Sequence, residues 1–151
     1  MAFWKKILGT DEGRAVDYYD EGIALLGVDK FHEALTSFRL ALKESPGDAT
    51  VLQQIAICYT RIGMIDEAAK TYRHVLQKNP GAAGAHYGLA FILLRGDHPE
   101  HAIPHLEAFL ADPPTGGDAG EHVEHARSTL AELRAMGHEQ ARDAAIGDAG
   151  H

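Results

Sequence analysis

An all-α, right-handed solenoid of three helix-turn-helix units, closed by a C-terminal capping helix, is the fold this sequence predicts. Three observations predict it. Pro46, Pro80 and Pro114 lie 34 residues apart, and residues at fixed offsets before them match in type: Gly22, Ala56 and Ala90; Ala34, Ala68 and Ala102; Phe38, Tyr72 and Leu106. A period of that length marks a stacked array in which each unit buries its apolar face against the next. Within each unit apolar residues recur at spacings of three and four, as in Phe31, Ala34, Leu35, Phe38, Ala41 and Leu42, which is the spacing of a helix face. Strand signals are missing: there is no sustained alternation and no Asn-Gly or Asp-Gly hairpin dipeptide.

The units are expected at 15–48, 49–82 and 83–116. In each, a first helix carries the small residue (Gly22, Ala56, Ala90) where two helices must approach closely, and a second helix carries the large ring or leucine. Gly27, Gly63 and Gly96 mark the ends of the first helices, where glycine takes a left-handed conformation. Pro99 suits a first helical position, where its missing N–H costs nothing. Pro104, inside the last second helix, would delete a backbone bond at a cost of about 3 kcal/mol, so that helix is expected to be bent or displaced. The final unit needs a cap with a polar outer side, and 119–136 supplies it: Val123, Ala126, Leu130 and Leu133 share one face. Beyond Gly137 the Ala-, Gly- and charge-rich residues 137–151 are expected to form a flexible tail.

The middle unit supplies Leu52, Ile55, Ala56, Tyr59, Gly63, Ala68, Tyr72 and Pro80 in order, and in this it resembles the tetratricopeptide repeat, a 34-residue helix-turn-helix unit. The first unit follows with Tyr18, Gly22, Leu25, Ala34, Phe38, Ala41 and Pro46, with Glu21 in place of the usual leucine. The third departs furthest, with His86 in the tryptophan slot and Phe109 where a small residue is usual. The resemblance covers about 15–114. It implies a non-catalytic module that binds a protein or peptide on a concave face lined by the first helices. On that face the resemblance places Tyr19, Ile23 and Leu26, then Gln53, Ile57 and Thr60, then Tyr87, Phe91 and Leu94. Most are apolar or aromatic, more than stacking needs, which predicts a groove holding a helical or extended partner segment, with Tyr19, Tyr87 and Phe91 as principal anchors. Members that grip acidic chaperone tails carry Lys, Asn and Arg in these slots, so a carboxylate clamp is not expected. Arg61 and Arg95 stand at the groove edge, where helix-end cations are ordinarily solvated. Small three-unit members with apolar grooves are similar to bacterial secretion chaperones, one concrete form of such a binder; the rival reading is a self-assembling scaffold whose groove takes a second copy.

Composition narrows the rest. The 151 residues carry a net charge of −8, which argues against a nucleic-acid partner. One cysteine, Cys58, excludes an internal disulfide and a cysteine-based zinc site, and with no secretory signal in the sequence a cytoplasmic setting is expected. No phosphate loop, nucleophile elbow or HExxH sequence suggests an enzyme or a cofactor. Residues 1–14 hold an amphipathic segment, Phe3, Trp4, Ile7 and Leu8 beside Lys5 and Lys6, with three readings open: a cap on the first unit, a segment docked in a groove, or a weak membrane-surface contact through 1–9. Of ten histidines, His98, His101 and His105 have spacings compatible with a metal or a pH-dependent surface, yet two prolines interrupt them, and no metal is expected.

Overall fold

The computed structural model describes residues 17–149, and no strand occurs among them. Seven α-helices follow one another: α1 (Tyr18–Gly27), α2 (Phe31–Glu44), α3 (Ala49–Ile62), α4 (Ile65–Lys78), α5 (Ala83–Leu93), α6 (Ile103–Ala111) and α7 (Ala119–Ala149). A 3₁₀ turn, Pro99–Ala102, leads into α6. Two helix starts carry side-chain caps: the Asp17 carboxylate accepts from the N–H of Asp20 at α1, and Asp48 accepts from those of Thr50 and Val51 at α3. Each helix packs on its neighbours in sequence, α1 through α6 pair into three hairpins, and α7 lies against α6. The described chain is an all-α solenoid of helical hairpins with a terminal helix over the third.

The core is one run of three joined clusters. The first, centred on Phe38, joins α1, α2 and α3; the second, centred on Tyr72 and Leu89, joins α3, α4 and α5; the third, centred on Leu106 and Phe109, joins α5, α6 and α7. In each hairpin a bulky side chain of the second helix, Phe38, Tyr72 or Leu106, is buried against the first helix at its small residue, Gly22, Ala56 or Ala90. The fit is tightest in the first: a Cβ placed on Gly22 would lie 2.5 Å from the Phe38 ring. Phe109, unusual for its slot, is also buried and fills the third cluster.

Four local expectations need correction. Gly27 is the last residue of α1 and not left-handed; Asp29, with φ 63°, makes that turn instead, a conformation Asp tolerates better than most residues. Gly63 does take the left-handed position, with φ 96°. Gly96 does not, and its N–H closes a turn onto the Leu93 carbonyl at 3.1 Å. Pro104 is not inside the helix but the second residue of α6, where no intrahelical N–H bond is due. The helix is shortened instead, its first turn replaced by the 3₁₀ segment. Finally, the helix expected to stop at 136 continues through Gly137 to Ala149. A helical glycine costs only about 1 kcal/mol, and the surrounding Ala, Glu, Gln and Arg favour the helix. No helix among the described residues is long and apolar enough to cross a membrane.

Gly22→Ala should destabilise the chain by about 1–3 kcal/mol through overpacking against Phe38. Gly27→Ala, which meets open space at a helical residue, should leave stability unchanged or raise it by up to about 1 kcal/mol. Urea unfolding followed by circular dichroism checks both, and equal effects would contradict the packing account.

Candidate functional site

The first helices of the second and third hairpins, α3 and α5, border a cleft of about 490 Å³. Two glycines one turn apart on α5 make it. Gly88 has no side chain where the Tyr72 ring passes, and Gly84 none where Gln53 lies, so a Cβ at either would collide with its neighbour. Ile57 of α3, Ile65 of α4, and Phe91 and Ile92 of α5 give the cleft an apolar lining. Its polar groups on α3 and α4 include Gln53, the Thr60 hydroxyl, already donating to the Ala56 carbonyl at 2.9 Å, and the Tyr72 phenol, whose pKa burial pushes above its ordinary value.

The C-terminal helix completes the opposite wall. Tyr87 sits among Phe91, Phe109 and His122, with ring centroids at 4.7, 5.0 and 5.0 Å, and its hydroxyl lies 3.1 Å from Nδ1 of His125. The His125 ring in turn stacks on Phe91 at 4.6 Å. Burial raises the Tyr87 phenol pKa, so it stays protonated at neutral pH. At the rim, Arg61 lies 3.7 Å from the Asp29 carboxylate and 4.5 Å above the Phe31 ring, while Arg95 also borders the cleft.

The structure therefore brings together Gln53, Ile57, Thr60, Tyr87 and Phe91, with Arg61 and Arg95 beside them. It does not bring in Tyr19, Ile23, Leu26 or Leu94. Tyr19 packs on Phe38 with centroids 5.8 Å apart and borders a separate recess with Glu44 and Asp48. Ile23 is 39% exposed away from the cleft, Leu26 packs on the first core cluster, and Leu94 packs on the third. Phe3, Trp4, Ile7 and Leu8 lie outside the described residues. Sequence reasoning missed Gly84, Gly88, Tyr72, Phe109 and His122. The Gly84 and Gly88 pair was a usable signal of close approach; His122 follows a linker that breaks the 34-residue register and gave none.

The histidines divide into separate groups. His98 and His101 stack near Glu100, whereas His105 lies elsewhere, its Nδ1 3.0 Å from Nδ1 of His86. His86 Nε2 is 2.8 Å from the Pro80 carbonyl. Neutral rings satisfy both contacts: Nε2–H of His86 donates to the carbonyl, and its Nδ1 accepts from His105. Burial first, then the neighbouring His86 and Arg73, hold the His105 pKa below its ordinary value. Cys58 is fully buried and its thiol is pushed up to about 11, leaving it unreactive at neutral pH.

Comparison with known proteins bears on the fold. No family model matches the chain. Over 93 residues, 62% of this chain and 10% of the other, it is 30% identical to a Petunia hybrida protein described as "Probable UDP-N-acetylglucosamine--peptide N-acetylglucosaminyltransferase SPINDLY". The chain spans about a tenth of the length of the curated relatives it matches. Among solved structures, the Sgt2 TPR domain from Aspergillus fumigatus superposes with a TM-score of 0.66 at 20% identity, covering 83% of this chain and 80% of that one. PcrH, in complex with the chaperone binding region of PopD, superposes with a TM-score of 0.68 at 15% identity, covering 79% and 90%.

Because His105 is held neutral, its contribution to stability is present above pH ~6.5 and is lost as pH falls through its lower folded pKa. The urea midpoint should drop between pH 7 and pH 5, and His105→Gln should flatten that drop; an unchanged profile in the variant would remove His105 as the cause. The hairpin geometry and these superpositions together establish that this chain has the tetratricopeptide-repeat fold.

Proposed function

We propose that this chain is a protein-binding module that takes one apolar face of a helical or extended partner segment into the cleft between α3 and α5. The observation that carries the reading is the cleft itself: Ile57 and Phe91 flank the core clusters and remain partly open to solvent in a hollow of about 490 Å³. Partly exposed apolar side chains gathered in a concave site gain free energy when a partner excludes water from them. Tyr87 is held by Phe109 and the two α7 histidines, so it serves as a firm wall while Ile57 and Phe91 receive the partner's side chains. Fixed walls lower the ordering cost of binding.

The partner's form follows from magnitude. Each well-buried apolar side chain contributes about 2 kcal/mol, against an association cost of at least about 4 kcal/mol. Two anchors alone do not suffice, so the partner runs along the cleft, with side chains spaced three or four residues apart if helical. Acidic residues flanking those anchors would meet Arg61 and Arg95 at the rim. The reading is supported by PcrH, of the same fold, which is solved with the chaperone binding region of PopD. A cytoplasmic setting belongs to the same reading, supported by a lone buried thiol at Cys58.

Selection from a displayed library of peptides, followed by binding measurements on the selected sequences, tests this. The wild-type chain should select segments with two or three spaced apolar residues, and Ile57→Glu should weaken them at least tenfold, about 1.4 kcal/mol. Val28→Glu, at an exposed position outside the cleft, should change nothing. Equal binding by the Ile57 variant would remove the cleft as the site. Concentration-dependent sedimentation that Ile57→Glu abolishes, without any selected peptide, would assign the cleft to a second copy of the chain.

A further inference from the structure

The connection between α5 and α6 gathers three ligating side chains. His98, Glu100 and His101 each offer one donor atom, and the three atoms all lie within 4.8 Å of one another. Nδ1 of His98 is 3.0 Å from Oε1 of Glu100, and the two imidazoles stack with centroids 5.1 Å apart and planes 25° from parallel. The backbone explains this. Pro99–Ala102 is a 3₁₀ turn with His98 as its N-cap, so the two histidines stand at either end of one i→i+3 turn. The turn is also anchored from below: the His101 N–H bonds to the His98 carbonyl at 3.0 Å, and Ala102 is fully buried in the third core cluster. The donors are exposed while the chain beneath them is held.

We propose that His98, Glu100 and His101 form a zinc site, binding the ion through two imidazole nitrogens and one carboxylate oxygen with water in the fourth position. Tetrahedral zinc bonds N and O ligands at about 2.0–2.2 Å, which places ligand atoms roughly 3.3 Å apart. His98 and Glu100 already have nearly that separation, and rotation about exposed side-chain bonds brings in the third donor. Two imidazoles with one carboxylate select zinc or a neighbouring transition ion over magnesium or calcium, which take oxygen ligands. The site is independent of the cleft, which none of the three residues lines. Its ligand set differs from the histidine triad that sequence spacing suggests, since His105 is paired with His86 and Glu100 takes its place.

Calorimetric titration of the metal-free, tag-free full chain with zinc chloride at neutral pH tests the site, with magnesium chloride as the comparison. The wild type should bind one zinc ion per chain and no magnesium. Because the chain has ten histidines, the variants carry the discrimination. The double substitution of His98→Ala and His101→Ala should abolish that binding, and Glu100→Gln should weaken it by about tenfold or more. His105→Ala and His122→Ala should retain it. All four variants can be checked for intact helix content by circular dichroism. Absence of zinc binding in the wild type, binding that survives the double substitution, or full affinity in Glu100→Gln would each overturn the assignment.

Discussion

The structure depends on a repeated steric constraint: a large side chain on the second helix of each hairpin must press against a residue with almost no side chain on the first. Phe38 against Gly22 shows it in its tightest form, since even a methyl group on Gly22 would enter the ring. Ala56 with Tyr72 and Ala90 with Leu106 occupy the equivalent places, each pair buried in one core cluster. Such contacts set how closely two helices lie, and therefore the position of the next hairpin. A stacked array has no other means of defining its long-range geometry, because each unit touches only its neighbours.

The same constraint, carried one step further, produces the cleft. Tyr72 does not stop at its own hairpin; its ring also runs against Gly88 of the following one. Together with Gly84 facing Gln53, this draws α5 close to α3 and α4 at their base while Ile57, Phe91 and Ile92 remain on the open side. On the first hairpin the corresponding inner position holds Tyr19, which turns onto Phe38, so the apolar hollow does not extend there. At the other end α7 brings His122 and His125 against Tyr87 and Phe91, so the terminal helix covers the third hairpin and also closes the cleft wall.

What was legible in the sequence was whatever repeats. The 34-residue register predicts the hairpins and makes Gln53, Ile57 and Thr60 equivalent to Tyr87, Phe91 and Leu94, and five of those six residues line the cleft. What was not legible depends on departures from the register. Asp29 replaces Gly27 in the turn because the chain exits α1 two residues later than a glycine cap would require. Pro104 is harmless only because the preceding 3₁₀ turn shifts the start of α6, and that same turn is capped by His98 and brings it close to His101. The length of α7 and the contacts of its histidines follow a linker with no counterpart earlier in the chain, so no period predicts them.

The central claim is that the partly open apolar side chains between α3 and α5 receive a guest. Intermolecular nuclear Overhauser effects between a selected peptide and the methyl-labelled chain test it most directly. Contacts from the Ile57, Ile65 and Ile92 methyl groups, with none from Leu40 or Leu76 of the second helices, are the result predicted here. Contacts confined to Leu40 and Leu76, or to α7 beyond Met136, would contradict it.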